Sequence, residues 1–170
     1  MNALDLLKIE HQKVEKIFVQ FEQGGNSQQF QQLFEQLFQE ISVHALIEEQ
    51  IFYPEISRID SIKEFVTSYY HEHSDLKASL AELVPMDNTQ LEWGRKMTKL
   101  RNDYQRHIRD EETQLFPRIR QALTDQQLVD LGIKLDQAKI SSLESPLVQL
   151  PVQNMENKYS TQEADLQGQQ

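Results

Sequence analysis

The sequence predicts an all-α fold: an up-down-up-down four-helix bundle with a short C-terminal fifth helix and a disordered tail. In four long segments, apolar residues recur every three or four positions, which is the period of a helix that packs on one face. Short stretches that contain glycine or proline separate these segments, and short connections favour antiparallel neighbouring helices. Only 5 of the 170 residues are glycine, while glutamine, glutamate and leucine are common, which favours helix.

The first two helices are each defined by one apolar stripe. Gly24 to Ser27 form the turn between them. The second helix is expected to run from about Gln28 to Tyr53, and Pro54 is expected to end or bend it. The first stripe consists of Leu4, Leu7, His11, Val14, Phe18 and Phe21. The second consists of Phe30, Leu33 or Phe34, Leu37, Ile41, His44, Glu48 and Phe52.

The third and fourth helices have stripes of the same kind and their own start signals. Segments 61–64 and 89–92, which read Ser-Ile-Lys-Glu and Thr-Gln-Leu-Glu, have the form of capping boxes. Pro117 falls near the end of the fourth helix. The third stripe is Ile62, Val66, Tyr69, His73, Leu76, Leu80 and Leu83. The fourth is Trp93, Met97, Leu100, Tyr104, His107, Glu111 and Leu115.

The helical pattern ends near residue 140. Segment 124–127 could cap the fifth helix, which is expected to reach about Lys139 with three leucines on one face. Residues 1–140 are therefore predicted to form one domain. Residues 141–170 are rich in Ser, Gln and Asn, contain two prolines, and are predicted to be a disordered tail. The alternative is that the apolar patch from Leu143 to Val152 docks on the bundle.

Composition excludes several classes of function. Acidic residues outnumber basic ones by 27 to 17, and the net charge of −10 argues against binding to nucleic acid or to an anionic membrane. The absence of cysteine excludes disulfides, zinc–thiolate sites and iron–sulfur clusters. No apolar run is long enough to cross a membrane and no signal peptide is evident at the N-terminus, so we expect a cytoplasmic protein.

Six polar residues occupy inward positions in the four stripes. Buried glutamate is rare unless it is paired or binds metal, because removing water from a carboxylate is costly. Residues four apart on a helix point about 40° apart, so the histidine and the glutamate that follows it on the second and fourth helices point to one place. The six candidate metal ligands are His11, His44, Glu48, His73, His107 and Glu111.

An internal repeat supports this set. Segments 44–56 and 107–119 both read His-x3-Glu-Glu, with proline ten residues after the histidine and isoleucine twelve after it. A Glu-His pair stands on the preceding helix in each half, at residues 10–11 and 72–73. The repeat predicts two helical hairpins related by a pseudo-twofold axis, which suits two metal ions bridged by two carboxylates. It also selects His73 rather than His71, since residues two apart cannot both face the core.

Imidazole and carboxylate ligands suit iron, manganese or zinc, and dinuclear sites of this kind are built between the helices of bundles. Four histidines and two bridging carboxylates leave coordination positions open for water, O2, peroxide or NO. Glu49 and Glu112 either orient the histidines or belong to a solvated helix face. Glu15 is expected to support His11 rather than to bind metal.

The order of these motifs resembles the hemerythrin-like HHE cation-binding domain family over about residues 2–140. The resemblance implies two non-haem iron ions with an oxo or hydroxo bridge, four histidines as terminal ligands, and Glu48 and Glu111 as bridges. Oxygen-carrying hemerythrins have two histidines four residues apart on the third helix, whereas Tyr69 and Lys77 stand at that distance from His73. Reversible oxygen carriage is therefore not implied. The candidates to complete the coordination shell are water, Glu15, Tyr69, Tyr70 and Tyr104.

The ligand set leaves three functions open. The first is the binding or sensing of a small ligand, namely O2, NO or peroxide, or of iron itself. The second is a di-iron redox enzyme such as a peroxide-disproportionating, catalase-like protein. The third is a structural bundle whose buried polar residues satisfy one another without metal. The sequence identifies no protein partner.

Overall fold

The structure is a computed structural model that describes residues 1–145 and 148–149. Four long antiparallel helices form the predicted up-down-up-down bundle, and a fifth long helix packs against the first two. The four bundle helices are α1 (Ala3–Glu22), α2 (Ser27–Ile47), α4 (Lys63–Leu83) and α5 (Leu91–Asp110). The others are α3 (Tyr53–Ile56), α6 (Phe116–Ala122) and the fifth long helix, α7 (Asp125–Ser142).

Two π-helical turns interrupt the α-helical geometry at equivalent places in the two halves. One spans Glu48–Phe52 and joins α2 to α3, and the other spans Glu111–Leu115 and joins α5 to α6. Each lies just before a proline, which cannot donate to the carbonyl four residues earlier and whose ring would crowd that carbonyl in an α-helix. Pro54 therefore does not end the helix. The chain widens to a π-turn before it and continues as α-helix to Ile56.

Two of the predicted capping boxes are absent. Helix α4 begins after Ile62, which has no side-chain cap and is fully buried; the backbone carbonyl of Ile59 accepts the N–H groups of Ile62 and Lys63 instead. Helix α5 begins after Gln90, one residue later than the predicted cap, and has no side-chain cap; the backbone N–H and the hydroxyl of Thr89 both donate to Asp87. Capping boxes are present at residues 124–127, as predicted, and at residues 26–29.

The core consists of two apolar clusters separated by a polar layer. One cluster lies at the end of the bundle where α7 packs, and it includes Leu7, Ile47 and Phe116. The other lies at the opposite end, around Phe34 and Trp93. Helices α1, α2 and α4 each pass from one cluster to the other at a predicted ligand position, and α5 reaches the first cluster through the π-turn that follows it. The apolar clusters thus close the polar layer from both ends.

Helix α7 extends to Ser142, three residues beyond the predicted end at Lys139. Its leucines 128, 131 and 135 are buried, as predicted. Val148 is 1% exposed and belongs to the apolar cluster beside α7, while most of the predicted tail lies outside the described residues. Among the helices that the structure describes, none is both long enough and apolar enough to span a membrane.

Candidate metal centre

The polar layer contains all six predicted ligand residues. Their side chains come from α1, α2, α4, α5 and the first residue of each π-turn. His71, by contrast, is exposed, so the inward histidine is the one that the repeat indicated. Each side chain of the following set is at most 1% exposed: His11, His44, Glu48, His73, His107 and Glu111.

Within the described chain, the ligand atoms form two overlapping groups whose members lie within 4.8 Å of one another: His44, Glu48, His73 and His107, and His11, His44, Glu48 and Glu111. Glu48 Oε2 lies 3.3 Å from Nε2 of His44 and of His73. His73 Nε2 lies 3.1 Å from His107 Nε2. Two ligands that bind one ion at right angles, each at about 2.1 Å, are about 3 Å apart, so this spacing suits a metal ion.

Four buried polar atoms at the centre of the layer lack a hydrogen-bond partner among the described residues. Each such group costs about 1–3 kcal/mol if it is left unpaired. They are nitrogen and carboxylate oxygen donors, which iron, manganese and zinc accept, and a cation between them would satisfy all four. The donor set therefore fits a metal centre. The atoms are Nε2 of His11, Nε2 of His44, Oε1 of Glu48 and Oε2 of Glu111.

The hydroxyl of Tyr53 lies between the two central carboxylates. It is 2.8 Å from Glu48 Oε2 and 2.9 Å from Glu111 Oε1, and it is 3.3 Å from His73 Nε2. Tyr53 is fully buried. No other tyrosine in the described chain has a hydrogen bond to either central carboxylate.

A phenol has one hydrogen and can donate it to only one of these two carboxylates at a time. Burial and the charge of Glu111 raise the pKa of Glu48. Burial opposes the charge on Glu111 too, but His107 and His11 outweigh it and lower the pKa of Glu111. Without metal, Glu48 thus binds a proton more tightly than Glu111 does, and the Tyr53 hydroxyl contacts both carboxylates.

Three of the four histidines are held at their outer nitrogen by a carboxylate from another helix. This contact fixes the ring so that Nε2 faces the centre, which is the usual arrangement of metal-binding histidine. Glu49 and Glu112, whose role the sequence left open, both take this position. The contacts join Nδ1 of His11 to Glu112 at 2.7 Å, of His73 to Glu49 at 3.1 Å, and of His107 to Glu72 at 2.9 Å.

The same carboxylates set the protonation of two histidines. Burial disfavours the charged form of His11, but the hydrogen bond to Glu112 and the nearby charge of Glu111, whose Oε2 lies 3.5 Å from Nε2, outweigh it and raise the pKa of His11 to about 9. Burial likewise opposes charge on His73, and hydrogen bonds to Glu48 and to the glutamate after it raise its pKa to about 9. Without metal, both rings are therefore in the charged form at neutral pH, with a proton on each nitrogen. Metal binding has to release one proton from each ring.

His44 differs from the other three histidines. Neither of its ring nitrogens has a hydrogen-bond partner among the described residues. Burial and the positive charge of the neighbouring histidines lower the pKa of His44 well below its ordinary value. The ring is therefore neutral and already in the protonation state that a metal ion requires.

The other residues that the sequence offered for the coordination shell lie further from the centre. The exposed Tyr70 donates to the backbone carbonyl of Glu49, and Glu15 accepts from Gln105 rather than from His11. Tyr104 is fully buried, with its ring centre 6.2–6.5 Å from three of the histidines. Its hydroxyl has no hydrogen-bond partner among the described residues.

Tyr53 is not among the residues that the sequence pattern indicates as part of the site. In an α-helix its side chain would point about 140° away from that of Glu48, five residues earlier. The π-turn between them reduces this offset, and the Tyr53 hydroxyl reaches Oε2 of Glu48. One signal could have identified Tyr53: the repeat aligns Tyr53-Pro54 with Phe116-Pro117, so one half carries a hydroxyl where the other carries none.

Comparison with known proteins gives three matches. The family model described as the Hemerythrin HHE cation binding domain matches residues 2–119. A DNA nickase from Nostoc sp. is 27% identical over 139 residues, which cover 82% of this chain and 39% of the nickase. The chain thus spans about two fifths of the length of that relative.

The third match is a crystal structure of a Hemerythrin HHE cation binding domain-containing protein from Mycobacterium kansasii. It superposes with a TM-score of 0.74 and 22% sequence identity. The match covers 87% of this chain and 98% of that one. At this identity the likeness shows a shared fold.

Proposed function

The chain belongs to the Hemerythrin HHE cation-binding domain family, and we propose that its polar layer is a non-haem di-iron centre that binds or senses a small ligand. The ligand would be O2, NO or peroxide, or iron itself would be the species bound. The proposed metal ligands are His11, His44, Glu48, His73, His107 and Glu111.

One observation carries this proposal: the two overlapping groups of buried ligand atoms. Two groups that share His44 and Glu48 support two neighbouring cations better than one. Cations would also offset the cost of burying the six side chains, because the attraction replaces lost hydration. Manganese or zinc would satisfy the same donors, and the preference for iron rests on the family.

Two bound iron ions would supply open coordination positions and could exchange electrons with a small ligand. The chain itself contributes three things. Outer carboxylates such as Glu112 orient the histidines, the apolar clusters on both sides of the layer exclude water, and Tyr53 holds a proton between the two central carboxylates. A ligand bound there would meet a hydrogen-bond donor in an enclosed site.

The test is metal analysis of protein that is purified without added metal, followed by anaerobic titration with Fe(II). We expect two irons per chain. The His73→Ala variant should lose most of the iron, and His71→Ala, at an exposed position two residues away, should keep it. Exposure of the reduced protein to O2 or NO should then change its visible spectrum. No metal, together with no uptake of Fe(II), would leave only the structural bundle.

A second candidate is a di-iron redox enzyme that disproportionates peroxide. The Tyr53 hydroxyl favours it, because a buried hydrogen-bond donor would stabilise the negative charge that develops on oxygen as an O–O bond breaks. The third helix also has no histidine four residues from His73, where Tyr69 and Lys77 stand, and the ammonium group of Lys77 binds Glu49 at 2.7 Å. Iron-loaded protein should evolve O2 from H2O2, and Tyr53→Phe should slow this reaction. Failure of the iron-loaded protein to consume H2O2 would exclude the candidate.

A further inference from the structure

A buried carboxylate, that of Glu10, joins helix α7 to α1 beside the polar layer. Glu10 precedes the predicted ligand His11 and is 2% exposed. Its Oε1 accepts hydrogen bonds from Lys139 of α7 at 2.8 Å and from Lys13 at 3.0 Å. Its Oε2 is buried and has no partner among the described residues. An unused oxygen on a buried carboxylate points to a second donor.

The internal repeat identifies that donor. Glu72 is the counterpart of Glu10, and its Oε2 lies 2.9 Å from Nδ1 of His107. The counterpart of His107 is His44. Among the four predicted histidine ligands, only His44 has an Nδ1 without a partner in the described chain. Oε2 of Glu10 and Nδ1 of His44 are thus both buried without a partner in the described chain, at the positions where the other half of the repeat has the contact between Glu72 and His107.

The two halves differ because α7 covers only one of them. Helix α7 packs against α1 and α2, the helices that carry Glu10 and His44. The Glu72 side chain is 22% exposed, whereas Glu10 lies beneath α7 and is shared with its Lys139. The carboxylate that would position His44 is therefore also an attachment point for the fifth long helix.

We propose that Glu10 couples the docking of α7 to metal binding at His44, an inference that rests on the proposed function. Glu10 Oε2 accepts a hydrogen bond from Nδ1–H of His44, while Oε1 stays with Lys139. With a cation at Nε2, the Nδ1–H group becomes a stronger donor and fixes the Glu10 carboxylate. Because coupling between sites is reciprocal, docked α7 strengthens metal binding by the same factor.

The first experiment measures amide hydrogen exchange in α7 of the full chain, with and without Fe(II) under anaerobic conditions. We expect exchange near Lys139 to slow at least about fivefold when metal binds. Lys139→Met should abolish this dependence on metal. Lys134→Met is the matched control, since Lys134 is on the same helix but pairs with Glu55 at 2.8 Å, and it should retain the dependence.

A second pair of variants separates positioning of the histidine from coupling to α7. Glu10→Gln and Glu72→Gln should each weaken Fe(II) binding about tenfold, as the loss of an outer partner of a metal-binding histidine does. At saturating Fe(II), Glu72→Gln should still show slower exchange in α7, and Glu10→Gln should not.

Two results would overturn the coupling while leaving the proposed function intact. One is a wild-type protein that binds two irons per chain with no change of exchange in α7. The other is a Lys139→Met variant that keeps the full dependence on metal. A wild-type protein that takes up no Fe(II) would overturn the coupling and the proposed function together.

Discussion

The hydroxyl of Tyr53 lies 2.8 Å from Oε2 of Glu48, the residue five positions earlier in the sequence. The contact depends on the π-turn, because side chains five residues apart on an α-helix diverge by about 140°. In the other half of the molecule, Phe116 takes the equivalent place and stacks on His11 at 6.1 Å. The two halves thus bring one phenol, not two, to the central carboxylates.

Tyr53→Phe places in the first half the residue that the second half already carries. It removes the hydroxyl shared by two buried carboxylates, and we expect the metal-free protein to lose about 1–3 kcal/mol of unfolding free energy. Urea denaturation followed by circular dichroism measures this loss. Iron content should stay at two per chain, because the six proposed ligands are unchanged.

The matched control for this change is Tyr69→Phe. Tyr69 is 3% exposed and packs against His107, but it has no hydrogen bond to either central carboxylate in the described chain. Tyr69→Phe should therefore lower the unfolding free energy of the metal-free protein by less than half as much as Tyr53→Phe does. Equal losses for the two variants would mean that the Tyr53 hydroxyl has no special role.

The stability of the metal-free protein should fall as the pH rises from 6.5 to 9. The pKa values of His11 and His73 are raised from 6.5 to about 9, so protonation of these rings favours the folded state. Their contribution is complete below pH 6.5 and is lost as the pH passes 9. Thermal melts of metal-free protein across this window give the measurement.

Metal affinity should rise as the pH rises from 6.5 to 9, because the ion has to displace the protons of His11 and His73. Calorimetric titration with Mn(II), in buffers of different ionisation enthalpy, counts the protons released. A melting temperature that rises between pH 6.5 and 9 without metal, or binding with no proton release at pH 7, would contradict the assignment.

Gly132→Ala should loosen the docking of α7 on the start of α1. A Cβ at Gly132 would lie 2.5 Å from the carbonyl oxygen of Met1 and 2.9 Å from the backbone of the next two residues. Backbone atoms cannot move aside as a flexible side chain can, so we expect a loss of about 1–3 kcal/mol, measured by urea denaturation.

Gly94→Ala on α5 is the control for helix propensity. A Cβ there would meet no atom within 4 Å, so the same change should stabilise the protein by about 0.5–1 kcal/mol. Opposite signs for the two variants would establish close packing at Gly132. If both stabilise the protein, α7 does not approach α1 as closely as the structure has it.

Removal of metal should lower the melting temperature. An ion present at about a thousand times its dissociation constant stabilises the folded state by about 4 kcal/mol, which for a chain of this size amounts to about 8–16 °C. Melts before and after chelation, and again after Fe(II) is restored, test this. A chelated protein with unchanged stability would indicate that the buried polar residues satisfy one another without metal.

The sequence by itself determined the bundle and its polar layer. Helical periodicity requires only that one face of each helix be apolar, so a histidine or glutamate on that face is visible in the sequence as an exception. The repeat then chose His73 over His71, and the structure buries the one and exposes the other.

Only the tertiary structure decided which groups surround the six candidate ligands. Glu72 and Glu112 reach histidines 35 and 101 residues away in the chain, and helical periodicity has no information about contacts between helices. Tyr53 faces the carboxylates because a π-turn changes the helical period at that point. The attachment of Lys139 to Glu10 depends on the side of the bundle that α7 covers, which packing between helices selects and local sequence does not encode.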